Sequence, residues 1–72
     1  MKNRYSNLRG NSPIVSYEIE PYCITVWFGN KPYSYSYSSA GASNVEIMKD
    51  LAQRGAGLSA FITRNVRHKY ER

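Results

Sequence analysis

Seventy-two residues with a net charge of +5 and one cysteine describe a single small domain, near the size at which a hydrophobic core is marginal without staples. Cys23 alone closes no intrachain disulfide, and no apolar run approaches the length of a membrane-spanning helix. A disulfide scaffold and an integral membrane protein are therefore set aside.

Residues 1 to 11 are polar, carry Lys2, Arg4 and Arg9 without an acid, and show neither helical nor strand period. They read as a flexible basic arm, held at Tyr5 or Leu8 if anywhere. Met1-Lys2-Asn3-Arg4 starts with positive charge, as signal peptides do, but no apolar run follows. The chain is expected to be cytoplasmic, with no membrane partner.

The domain proper spans residues 12 to 70, with 71 and 72 as a tail. A first strand is expected over about 14 to 19, with Glu20-Pro21 turning the chain into a second strand. The most informative stretch is 22 to 37, where two runs of alternating character flank Gly29-Asn30, a strong hairpin signal. Gly29 supplies the positive φ the turn needs, and this register places Pro32 opposite Trp27, where its missing N–H is not required. Val26 then faces Tyr33, Ile24 faces Tyr35 and Tyr22 faces Tyr37. Pairing Ile19 with Tyr22 puts Tyr17 opposite Ile24 and Val15 opposite Val26. One apolar face results: Val15, Tyr17, Ile19, Tyr22, Ile24, Val26, Phe28, Tyr33, Tyr35 and Tyr37.

Such a face needs a cover. After a small-residue loop over 38 to 42, Ser43 and Glu46 have the spacing of a capping box. Val45, Met48, Leu51 and Ala52 form the stripe of the helix that follows, which Gly55 ends. A second helix begins near Leu58 and continues through Phe61, Ile62 and Val66, with Tyr70 one turn on and Arg64, Arg67 and His68 on the other side. The expected fold is α+β: a three-stranded antiparallel meander followed by two helices packed on one face of the sheet.

These residues resemble the KTSC domain, a family named for its occurrence at the C-terminus of some lysyl-tRNA synthetases. The strand positions are Val15-Ser16-Tyr17, residues 24 to 28 and Tyr35-Ser36-Tyr37; the terminal motif is matched by residues 61 to 70. Thr63 stands for the family's Asn, Ile62 for its Phe, and Ala40-Gly41 for the Val-Pro that introduces the first helix. The resemblance implies a small α+β domain without an established activity. Its company with a synthetase points to RNA by association only.

Function is carried weakly by the residues themselves. Each end of the chain has a surplus of three positive charges, whereas the middle is one negative. That distribution suits a polyanion, and it equally suits a solvated small domain. Arg64, Arg67, His68, Lys69 and Arg72 are the candidate phosphate contacts, against the reading that cations at a helix C-terminus compensate its dipole. Trp27, on the hydroxyl-rich face with Thr25, Ser34 and Ser36, is a candidate anchor or a satellite cluster. Tyr33, Tyr35 and Tyr37 read as a base-stacking platform or as the rim of the core.

His68 and Cys23 lie on separate elements, with Cys23 beside Ser36 and Glu18; no metal-ligand spacing, nucleophile–base pair or phosphate loop is present. The expectation is a non-catalytic binding module with no cofactor, no metal and no small-molecule substrate. Its favoured partner is RNA or single-stranded nucleic acid. The alternative is a protein partner or a second copy, taken through the uncovered sheet face or the edge of the last strand.

Overall fold

A computed structural model describes residues 2–8, 10 and 12–71. Four strands, β1 (Lys2–Arg4), β2 (Ile14–Glu20), β3 (Cys23–Phe28) and β4 (Lys31–Ser36), form one antiparallel sheet in the order β1-β2-β3-β4. Helices α1 (Tyr37–Ala40), α2 (Ala42–Arg54) and α3 (Leu58–Phe61) follow, and α3 runs directly into a π-helical turn over Ile62–Val66. The α+β class and the antiparallel meander are as the sequence implies; the sheet has one strand more, and the helical part is divided differently.

The β3–β4 hairpin has the register that Gly29 and Pro32 dictate. Gly29 sits at φ 65°, and Phe28 pairs with Lys31, Trp27 with Pro32, Val26 with Tyr33 and Ile24 with Tyr35. Ile24, Val26 and Tyr35 are buried together beneath Val45, Met48, Leu58, Ile62 and Val66. One sheet face is therefore packed and the other is open, as period-two alternation requires.

The β2–β3 connection departs from expectation. Glu20 pairs with Cys23 and Ile19 with Ile24, so the loop residues are Pro21 and Tyr22, with proline's fixed φ suited to the first turn position. This shift of two keeps Tyr17 and Ile19 on the packed face but removes Tyr22, which is 72% exposed and stacks edge-on against Tyr37 at 5.5 Å. Between Ile14 and Ser16 the register also slips. That bulge inverts the alternation, burying Ile14 (2% exposed) and turning Val15 out (49%). The exchange buries the larger side chain, and the Val15 carbonyl accepts from the Tyr5 N–H at 2.9 Å.

Residues assigned from sequence to an arm supply the fourth strand. Lys2 pairs with Glu18, Asn3 with Tyr17 and Arg4 with Ser16. Tyr5 is the anchor, buried in the core with its hydroxyl accepting from the Leu58 N–H at 3.4 Å. A short, charged edge strand offers little to an incoming strand.

Two helix boundaries also differ. Ser36 caps α1 in a capping box with Ser39, so the small residues expected to be loop are a helical turn. Helix α2 starts at Ala42 behind Gly41, and Ser43 is inside it rather than at its N-cap. Glu46 accepts instead from the Tyr37 hydroxyl at 2.6 Å and the Lys49 ammonium at 2.9 Å, tying α1 to α2. Gly55 ends α2 in the left-handed region at φ 78°, as expected.

Candidate nucleic-acid interface

Leu58, Ile62 and Val66 are buried at intervals of four, and Tyr70 returns to the sheet at the same interval. An α-helix repeats every ~3.6 residues, so a stripe spaced by four drifts around it. The wider π turn over Ile62–Val66 offsets that drift, so Ile62 and Val66 are both buried, and Tyr70, beyond the helix, packs on Tyr33 and Tyr35 of β4. The polar side chains that follow consequently do not all point away from the sheet, as a continuous α-helix had implied. Arg67 and His68 come to the rim of a groove between the β3–β4 hairpin and the C-terminal segment.

The groove has a volume of about 380 Å³. Its walls include Phe28, Tyr33, Tyr35 and Tyr70, and Ile62 and Thr63 complete the helix side; among the described residues no carboxylate lines it. Tyr33 meets Phe28 at 5.5 Å between ring centres and Tyr70 at 4.8 Å, with interplanar angles of 74° and 65°. Tyr35 meets Tyr70 at 6.2 Å and 84°. These edge-to-face contacts are the favoured geometry for packed rings. Burial, reinforced by Tyr33 and Tyr70, pushes the Tyr35 hydroxyl up to about 12, so at neutral pH it stays protonated and uncharged.

The tyrosine row therefore divides. Tyr35 belongs to the core, half-buried Tyr33 lines the groove, and Tyr37 opens α1 at the far end of the sheet. Phe28 and Tyr70, legible from sequence only as core, are groove residues as well. The signal for Tyr70 was its spacing of four from Val66.

The other candidates are distributed rather than gathered. Arg64 and Lys69 are exposed on the same C-terminal segment but do not line the groove. Arg72 lies outside the described residues. Trp27 is on the open face, opposite the helices; its neighbours are Ser16, Pro32 and the Lys2 ammonium, 4.6 Å from the ring centre. Ile14, which precedes the bulge, is on the packed face. Trp27 and the groove thus lie on opposite faces of the sheet. The basic ends do not converge either, because Lys2 and Arg4 belong to β1 and the groove flanks β4, at the other edge of the sheet.

The open face carries Cys23 between Ser36 and Glu20, with Glu20 in the place expected for Glu18. Its thiol donates to the Glu20 carboxylate at 3.0 Å. That bond, then burial and the charge of the same carboxylate, push the Cys23 thiol up to about 11. Such a thiol is a poor nucleophile at neutral pH.

No group of His, Cys, Asp and Glu among the described residues is placed to hold a metal ion, and no helix among them is long and apolar enough to cross a membrane. Comparison with models of known families finds no match, and neither curated proteins nor solved structures supply one.

Proposed function

We propose that this chain is a small non-catalytic binding module of KTSC-like type that takes single-stranded nucleic acid, RNA in particular, on its C-terminal segment. The observation that carries this reading is the groove with tyrosine walls and Arg67 and His68 at its rim, lined by no carboxylate among the described residues, with Arg64 and Lys69 exposed on the same segment. Cations for phosphate and rings for unpaired bases are the two elements that single-strand recognition combines. A duplex keeps its bases stacked and presents only phosphates to the rim.

The non-catalytic part of the reading is supported by the separation of His68 from Cys23, on opposite sides of the sheet, and by the protonated state in which Glu20 holds the thiol. The alternative, a protein-interaction or self-association module, finds less support. Trp27 is already engaged by Lys2, and the β4 edge is occupied by the chain's own tail at Ser34 and Ser36.

Titration with single-stranded and duplex RNA at two salt concentrations tests the proposal. The single strand is expected to bind more tightly, and affinity should fall as salt rises because phosphate contacts release counterions. Absence of binding to either RNA at low salt would remove the nucleic-acid reading.

A further inference from the structure

We infer that the groove seats one unpaired nucleotide, its base stacked against Tyr33 and its phosphate held by Arg67. This deepens the nucleic-acid reading of the same site and rests on it.

The size of the space comes first. About 380 Å³ lies at the lower end of the range of small-ligand pockets, enough for one base with its sugar and phosphate but not for a base pair. The walls come second. Tyr33 lines the groove and meets Phe28 and Tyr70 edge-on rather than in parallel. A flat heterocycle laid along the Tyr33 ring gains by stacking, and the gain does not depend on which base it is. The rim comes third. Arg67, five residues after Ile62 across the widened turn, lines the groove beside His68, and no carboxylate among the described residues lines it with them. An arginine fork suits a phosphate held in two bonds. A peptide offers both groups only where it carries an aromatic side chain beside an acidic one, whereas every nucleotide carries a flat base and a phosphate.

A base joined to a phosphate occurs in free nucleoside monophosphates as well as in an RNA strand. The experiment therefore measures the binding of uridine monophosphate, a short oligouridylate and an abasic oligomer of equal length to the full chain and to its Tyr33→Leu, Tyr33→Phe and Arg67→Gln variants. Tyr22→Leu, at the far end of the sheet, serves as the control, and circular dichroism with thermal melting shows that each variant is folded.

Tyr33→Leu is expected to weaken oligouridylate by roughly 5- to 100-fold while leaving the abasic oligomer unchanged. Tyr33→Phe should restore most of the affinity, Arg67→Gln should weaken both oligomers, and Tyr22→Leu should change neither. Uridine monophosphate binding that Tyr33→Leu abolishes supports the seat with free nucleotide as a ligand. Tyr33-dependent binding of the oligomer alone supports it with the strand as the source. If oligouridylate and the abasic oligomer bind the native chain equally, or if a folded Tyr33→Leu binds both like the native chain, the seat is overturned while RNA binding stands. If the native chain binds no oligomer at low salt, the underlying reading fails as well.

Discussion

At the scale of single residues, the clearest chemical consequence belongs to Cys23. A thiol ordinarily titrates at 9.0 and is pushed up to about 11 here, first because it donates to Glu20 and then because of burial and the carboxylate's charge. A raised value means that the protonated form is favoured in the folded chain. The stability linked to it is therefore complete below the ordinary value and is lost as pH rises through about 11. Alkylation by iodoacetamide should be slow at neutral pH, since only thiolate reacts, and its rate should climb to an inflection near the same value. Glu20→Gln is expected to move the inflection down toward the ordinary thiol value. An inflection unchanged by that substitution would show that Glu20 is not the cause. Cys23 thus behaves as a sheet residue with its hydrogen satisfied, and the same bond removes it from the search for reactive groups.

Elements are joined here by close approaches rather than by long connections, and Gly55 is the tightest of them. It closes α2 at φ 78°, and its carbonyl accepts from the Leu8 N–H at 2.7 Å. A Cβ on Gly55 would lie 2.6 Å from the Ser6 Cβ, so the helix end must be bare both for its backbone angle and for its neighbour. Gly55→Ala is expected to destabilise the fold by about 1–3 kcal/mol, read as a lowered urea midpoint at constant slope. A midpoint equal to that of the native chain would mean that the segment holding Ser6 is free to move away. The helix end was legible from sequence because a glycine after an apolar stripe has one reading. The second constraint was not, because the strand that brings Ser6 there is only Lys2–Arg4 and its alternation is too short to register. The same contrast runs through the other elements. The β3–β4 register followed from two residues of special backbone chemistry, Gly29 and Pro32. The bulge at Val15 and the shift at Pro21-Tyr22 had no such marker, and both apolar choices looked alike in period. The candidate site was legible in its residue types, through Arg67 and His68, but not in its location. An α-helical period carried these residues away from the sheet, whereas the four-residue spacing of Leu58, Ile62, Val66 and Tyr70 already implied a wider turn.

On the scale of the whole molecule, the sheet has two edges and guards each differently. β1 is short and charged, whereas β4 would be an ordinary pairing edge if it were left bare. In a hairpin with a two-residue loop, Pro32, Ser34 and Ser36 aim their backbone groups away from β3. Pro32 has no N–H to offer, the Ser36 N–H is taken by the Ser39 hydroxyl at 3.0 Å, and the Ser34 carbonyl accepts from the Glu71 N–H at 2.6 Å. The Ser36 hydroxyl donates to the Glu71 carboxylate, while Tyr70 reaches the packed face, so the tail folds around the edge and touches both sides of the sheet. A chain ending at Lys69 loses the ring contacts of Tyr70 with Tyr33 and Tyr35 and the bonds of Glu71, which should lower stability by about 1–3 kcal/mol. It also bares the Ser34 carbonyl to solvent or to a second copy. Sedimentation at rising concentration should then show a dimer for the shortened chain where the full chain remains a monomer. Should the shortened chain stay monomeric with an unchanged urea midpoint, the tail would have no part in guarding the edge, and Tyr70 would matter only as a wall of the groove.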